Sequence, residues 1–405
     1  MHDVEFAEFV ASPPRRRRAW LAWIVVALGV AAGLGLTELV TRIAYPLPTR
    51  HYVWPPGATL EFHPDLSILH GASPVSRYFM NSWGVRGDEP ADGGSYRLLT
   101  VGGSAVECVY LDQPRSFPAR IGQRMNADPR DLRVWIGNAG KSGLKSNDHV
   151  QQLRNLLPDF GRIDAVLVMT GVNDVGAALR AEDPAKALLP VPEAEVLARV
   201  YHAYPERWAL GPAYRRMGLW QLARRVHLAA EKLFPPNELR ADWSGRAIGT
   251  WRAHRRSASR IRETLPDLSP FLAEHRKDVE ALIGAARERG VRIVLVTQPA
   301  IWRADLPPDL ADLLWMGGVG NFMGETGHEY YSPGALAGAL DAFNRTLLDV
   351  ARERKVEAFD LAGVLPRDGG VFFDDCHFTE AGSARVADLL ADYFLERRPF
   401  GAAVP

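Results

Sequence analysis

The sequence predicts an α/β protein: a three-layer α/β/α sandwich around a central, mostly parallel five-stranded sheet, with an apolar N-terminal helix and a helical insertion added to it. Three observations carry this expectation. Five short runs rich in apolar and β-branched residues recur at 96–101 (YRLLTV), 132–138 (LRVWIGN), 164–170 (DAVLVMT), 291–297 (VRIVLVT) and 356–361 (VEAFDL). Amphipathic helical segments lie between and after them, among them SFPARIGQRMN, HVQQLRNLL, VEALIGAARERG and GALAGALDAFNRTLLDVARERK. Near-continuous apolar strands joined through helices belong to a parallel sheet covered on both faces. The third is bulk: 405 residues at 47% hydrophobic composition suffice for one large core plus appendages.

Charge and cysteine content exclude other classes. Lys+Arg and Asp+Glu balance at 48 each, so no net field recommends a nucleic acid or another polyanion as partner. With only Cys108 and Cys376, the chain is not a disulfide framework.

From the N-terminus, residues 1–18 read as a basic cytoplasmic tail ending in Arg15, Arg16, Arg17 and Arg18, and residues 19–41 as a transmembrane helix. The run AWLAWIVVALGVAAGLGLT (19–37) carries no charged residue. As a helix it spans roughly 28 Å, about the hydrocarbon thickness of a bilayer. Trp20 and Trp23 stand where interfacial aromatics belong, and the arginines hold the N-terminus inside. The expectation is a single-pass protein of the inner (cytoplasmic) membrane with its main domain in the periplasm or outside the cell. A cleaved signal peptide is the competing reading, but its apolar region runs about 7–15 residues to a small-residue cleavage site. This run is longer, and no clear A-x-A site follows. The arginine pair before AWLA loosely resembles a twin-arginine export signal, which leads to the same compartment.

Residues 42–95, rich in Pro, Gly, Ser and His, read as a stalk that becomes a packed N-terminal extension, because its aromatics need cover. Residues 96–398 form the α/β domain and 399–405 a tail. The alternation is interrupted at about 183–267, where two basic, Trp-containing helical segments occur without a convincing strand. An insertion of that length forms a cap near the functional edge of the sheet. Its arginines read as a solvated helix face, the alternative being contacts to anionic headgroups or glycans.

In an open parallel sheet, sites form beyond the carboxyl ends of the strands. Four polar segments follow strands here: Gly102-Gly103-Ser104, NAGKSG (138–143), GVND (171–174) and FDDCHFTEAG (373–382). Their chemistry is complementary. A serine hydroxyl needs a base as it attacks, and His377 is the candidate. A carboxylate holds such an imidazole in the right tautomer, and Asp374 is three residues away on the same loop; the adjacent Asp375 is easily mistaken for it. Negative charge developing on a carbonyl oxygen needs preorganised donors. The amides of Ser104 and Gly143 and the side chain of Asn173 are one from each of three strand ends. Asp174 reads as a turn-stabilising residue that fixes Asn173, and Gly140 and Gly171 as backbone requirements.

Rival motifs fail. VGGSAV is not G-x-S-x-G, since position 106 is Val, nor a dinucleotide or triphosphate loop. His328 in TGHEYYS has no partner at metal-ligand spacing, and no metal site is supported.

The four segments, in this order, resemble the blocks of the SGNH, or GDSL-type, hydrolase superfamily. The resemblance covers about 98–395, the insertion excepted, and implies a flavodoxin-like hydrolase fold. It implies Ser104 as nucleophile and first oxyanion donor, Gly143 and Asn173 as further donors, and Asp374 with His377 as the D-x-x-H pair. No cofactor is implied. The chain departs from Gly-Asp-Ser in having Gly103 at the middle position. NSWGVRG (81–87) resembles a lead-in of membrane-anchored bacterial members; structurally it is a Gly-bounded turn presenting Arg86, with a substrate contact as the alternative. Cys108 and Cys376 adjoin residues that must meet, which invites a disulfide in an oxidising compartment.

The expected function is therefore a serine esterase acting on an acylated small molecule, glycan or lipid. An O-acyltransferase modifying an exopolysaccharide with the same site is the alternative, and an idle glycan-binding envelope protein the second.

Overall fold

All five apolar runs become strands of one parallel sheet. The computed structural model describes residues 16–44, 49–90, 95–130, 133–206, 213–223, 226 and 245–397. The chain divides into two units, Met1–Leu47 with Trp208–Phe234, and Pro48–Arg207 with Pro235–Pro405.

In the larger unit, strands β1 (Thr59–Phe62) and β2 (Ser76–Phe79) form an antiparallel ribbon within the N-terminal extension. The central strands are β3 (Tyr96–Gly102), β4 (Val134–Asn138), β5 (Ala165–Thr170), β7 (Arg292–Thr297) and β9 (Glu357–Phe359), in the order β4-β3-β5-β7-β9. The connection from the carboxyl end of β3 runs to β4 on one side and that from its neighbour β5 to β7 on the other, which opens a crevice between the ends of β3 and β5. Alternate residues serve opposite faces. Leu98, Leu167, Met169, Val294 and Val296 belong to one core, with helices Phe117–Asn126 and Glu380–Glu396. Leu99, Val101, Val166, Val168 and Leu295 belong to the other, with helices Ser146–Asp159 and Ser269–Arg287. Each such buried side chain contributes about 1.5–3 kcal/mol.

The insertion differs from expectation in two ways. Arg260–Arg262 forms a strand, β6, parallel to β8 (Glu329–Tyr331); three residues are too few to show a periodicity in sequence. In helix Arg246–Arg256, Arg246 and Arg256 are exposed, but Arg252 and Arg255 are buried. Arg252 donates to the carbonyls of Leu313, Ile68 and Phe373 at 2.9, 2.6 and 2.6 Å, and Arg255 to those of Met316 and Tyr331. The solvated-face reading fails for these two because loop carbonyls distant in sequence supply acceptors that no local pattern reveals. The other basic segment, residues 206–234, lies largely outside the described residues.

In the smaller unit, helix Arg16–Ala44 includes a stretch, Trp20–Ala44, of mean hydropathy 2.0, long and apolar enough to cross a membrane or to act as a signal sequence. Its Glu38 accepts the amides of Gly218 and Leu219 at 2.8 and 3.0 Å and Arg42 Nε at 2.6 Å. Gly218 and Leu219 begin a helical segment, and a carboxylate at its start satisfies otherwise unpaired N–H groups.

Candidate active site

β3 ends in a tight turn that places Ser104 at the first position of the short helix Ser104–Glu107. A Cβ at Gly103 would lie 2.5 Å from Asn173 Nδ2, so the absence of a side chain at this position lets the asparagine amide close on the serine turn. The helix stops at Cys108, whose φ is +55°. Its orphaned carbonyls are satisfied by Arg86, which donates to Glu107 O at 2.7 Å, Cys108 O at 2.9 Å and Leu111 O at 2.6 Å. Gln113 Oε1 accepts its Nε at 2.6 Å, and the guanidinium lies 3.7 Å from the Tyr78 ring centroid. Arg86 is only 2% exposed; it is not a presented turn residue and does not line the cavity over Ser104, but is an internal clamp behind Ser104. The lead-in is fixed in turn by reciprocal backbone bonds between Arg86 and Asn138 at the end of β4.

His377 Nε2 lies 2.7 Å from Ser104 Oγ, and its Nδ1 lies 2.7 and 2.9 Å from the two carboxylate oxygens of Asp374. These partners assign the proton of the neutral ring to Nδ1 and leave Nε2 to accept from the serine hydroxyl. Asp374 is fully buried and also accepts the amides of Cys376 and His377 and the indole N–H of Trp315, the last at 3.0 Å. Burial alone would raise its pKa, but the His377 charge and these donors outweigh it and hold it below the usual carboxylate range. For His377 burial works downward and the Asp374 charge upward; the carboxylate wins, so the imidazolium persists above the ordinary histidine range. Phe373 stacks on the imidazole, 5.6 Å between centroids, and Arg252 holds the Phe373 carbonyl.

Asp375, equally buried, turns away. It accepts from Trp302 Nε1 at 2.7 Å and from the amides of Trp315 and Met316. Burial, followed by the neighbouring Asp374 charge, raises its pKa.

Gly143 follows β4 with φ +78°, a conformation that favours glycine. Asn173 opens the helix Val172–Arg180 after β5 and donates one Nδ2 hydrogen to Leu144 O at 2.8 Å, leaving the other available. Among the described residues, the amides of Ser104 and Gly143 have no partner. Asp174 accepts the Oγ of Ser146 at 2.6 Å and its amide at 3.2 Å, tying the β5 turn to the loop that carries Gly143. Gly171 has φ +132° at the cap of that helix. Glu107, buried, accepts Ser142 N at 2.6 Å and Oγ at 2.5 Å, which pins the same loop to the serine helix. Glu107, Trp315 and Arg252 are the supports that sequence reading misses. Only Glu107 had a local signal, a lone carboxylate one turn after Ser104.

The expected disulfide is not formed: Cys108 and Cys376 are free and buried. Cys108 Sγ turns back to Ala105 O at 3.2 Å, since adjacency to residues that meet does not orient the thiols toward each other. Burial pushes Cys108 up to about 12. Asp374, Cys376 and His377 bring ligand-type atoms within 4.8 Å of one another, but both His377 nitrogens already have partners in Asp374 and Ser104.

A cavity of about 830 Å³ opens over Ser104, Gly143, Asn173 and His377, walled by Trp251 and Trp315, whose rings lie 4.7 Å apart. Beside the serine is a recess of about 10 Å³ lined by Cys108, Leu111, Phe373 and Phe378, room for about one methyl- or water-sized group. A separate cavity of about 500 Å³, lined by Gly122, Asn126 and Ile136, does not include Ser104 or His377.

A family model described as the GDSL-like lipase/acylhydrolase family matches residues 99–385. No curated protein sequence matches the chain. Similar solved structures include an alpha/beta hydrolase from the metagenome of Lake Arreo, Spain, at 13% identity over 76% of this chain and 98% of that chain, with a TM-score of 0.39. The acetylxylan esterase Axe2 from Geobacillus stearothermophilus matches at 15% identity over 77% and 98%, with a TM-score of 0.39. The aryl esterase of M. smegmatis matches at 13% over 75% and 99%, with a TM-score of 0.39. Likenesses this distant say nothing of substrate.

Proposed function

The chain belongs to the GDSL-like lipase/acylhydrolase family and is a hydrolase acting on esters, and from that premise we propose that it removes short O-acyl groups from an envelope or extracellular glycan or lipid by serine catalysis. The observation that carries the reading is the unbroken line Ser104 Oγ, His377 Nε2, His377 Nδ1, Asp374, with both contacts at 2.7 Å.

Ser104 Oγ attacks the ester carbonyl carbon while its proton passes to His377 Nε2. The resulting oxyanion is held by the amides of Ser104 and Gly143 and the free Nδ2 hydrogen of Asn173. Collapse breaks the bond to the alcohol oxygen, which takes the proton from Nε2 and leaves. Water then attacks the acyl-enzyme, giving its proton to Nε2, and the carboxylic acid departs as Ser104 regains its hydrogen. Asp374 remains ionised throughout and steadies the imidazolium. The methyl-sized recess takes the acyl tail and the large cavity the alcohol, which makes acetyl the preferred group. The cavity also has room for an acceptor hydroxyl in place of water, which would make the same site an acyltransferase.

The test is a series of p-nitrophenyl esters from acetate to octanoate, with and without an oligosaccharide acceptor. Acetate is expected to exceed octanoate by about tenfold or more in kcat/KM, and Phe378→Ala to narrow the gap. Turnover that requires the acceptor would assign transfer in place of hydrolysis. Equal rates along the series would remove the assignment of the recess.

A further inference from the structure

Asn173 does not stand alone on its helix. Asn173, Gly176, Ala177 and Arg180 all line the large cavity, and their spacing of three, four and seven residues makes them one stripe of the helix face. Gly176 and Ala177 leave the middle of the stripe without bulk, so it forms a floor running from the oxyanion donor to a guanidinium two turns, or about 10 Å, away. Arg180 has five N–H donors, yet its side-chain contacts are the Phe322 ring, 5.1 Å from centroid, and Met323 Sδ at 4.0 Å. On the other side of the Gly143 loop, Lys145 lines the same cavity. No carboxylate of a described residue lies within 4.0 Å of either cation. A helix C-terminus favours a cation, but this exposed guanidinium also lines the substrate cavity with the Met323 sulfur as its one acceptor, so its remaining N–H groups face the space a substrate enters. Such a group is completed by a planar or tetrahedral oxyanion, which it binds through paired hydrogen bonds.

We propose that the ester substrate is a carbohydrate bearing a carboxylate or phosphate, with Arg180, assisted by Lys145, binding that anion a sugar unit removed from the acyl group and the packed Trp251 and Trp315 rings forming one wall beside the sugar. The inference rests on the esterase reading for the ester, though not for the anion site.

The test uses the detergent-solubilised full chain at low ionic strength and three acetylated probes: a neutral xylo-oligosaccharide, an oligogalacturonate and a sugar phosphate. The expected kcat/KM ratio of anionic to neutral probe is about tenfold or more, the size of one charge-assisted hydrogen bond. It falls toward one in Arg180→Gln, is partly kept in Arg180→Lys, and shrinks with added salt. The galacturonate and phosphate arms identify which anion is read. Calorimetry of unacetylated oligogalacturonate with Ser104→Ala is expected to show binding that Arg180→Gln removes. Binding without turnover of any probe by the wild type would sink the esterase reading and leave the anion site standing. Turnover with equal kcat/KM for all three probes, or a ratio that Arg180→Gln leaves unchanged, would overturn the anion site alone.

Discussion

Asp374 and Asp375 are adjacent, chemically identical and fully buried, and only their partners separate them. Asp374 faces His377 and Trp315, whereas Asp375 faces Trp302 and the 315–316 amides. Asp374→Asn is therefore expected to lower kcat by on the order of 10⁴-fold with the fold retained. Asp375→Asn is expected to act mainly on stability, costing about 1–3 kcal/mol in denaturant unfolding. The pH profile carries a sign. The base must be neutral, and its pKa is raised by Asp374 against the effect of burial. kcat/KM is therefore expected to fall as pH drops through a value above 6.5, the ordinary histidine figure. In Asp374→Asn the limb moves to lower pH, because the charge favouring the imidazolium is gone; an unmoved limb would contradict the assignment. The five residues that gather at the sheet edge were legible because each lies in a polar segment that follows a strand or sits in the D-x-x-H pair. Trp315 was not, since nothing near it in sequence announces an indole aimed at a carboxylate 59 residues away.

At the scale of elements, two buried arginines hold the loops that carry Ser104 and His377. Arg86 satisfies three carbonyls at the end of the serine helix. Arg86→Met leaves Glu107 O buried without a donor and removes the charged donor from Cys108 O and Leu111 O, which keep the Leu111 amide and Ser76 Oγ; each lost bond to the guanidinium costs about 1.5–3 kcal/mol. The expected loss is about 3 kcal/mol or more in denaturant unfolding, with activity falling as the Ser104 turn loosens. Arg86→Lys is expected to restore little, because one ammonium cannot reproduce the planar fork. A midpoint within error of wild type would refute the clamp. Arg252 plays the same part for Phe373 and the histidine loop. Both arginines look like surface charge in sequence, because partners 21 to 184 residues distant leave no local trace. The five central strands are the opposite case: parallel strands covered on both faces are written as unbroken apolar runs, which survive inspection without any tertiary knowledge.

For the whole molecule, the stretch Trp20–Ala44 is long and apolar enough to cross a membrane or to act as a signal sequence, and we propose an uncleaved anchor with the hydrolase domain outside the cytoplasm. The full chain is expected to remain in the membrane pellet through alkaline carbonate and high-salt washes, and a C-terminal reporter active only outside the cytoplasm is expected to be active. Release by carbonate, or a mature N-terminus beginning after the apolar stretch, would instead indicate a signal sequence. The balance of 48 basic and 48 acidic residues gives no long-range field, so any preference for charged substrates is local to the cavity. The strand runs made the parallel sheet legible, but Arg252 and Arg255 in the insertion were misread as solvated, because the loop carbonyls that they bind are distant in sequence.

The central claim is that Ser104 forms a covalent bond during turnover. Intact-mass and peptide mass spectrometry after reaction with a fluorophosphonate tests it most directly. One adduct per chain on the peptide containing Ser104 is expected, with labelling slowed by orders of magnitude in His377→Ala. No adduct on the folded protein, or an adduct on another residue that Ser104→Ala leaves unchanged, would contradict it.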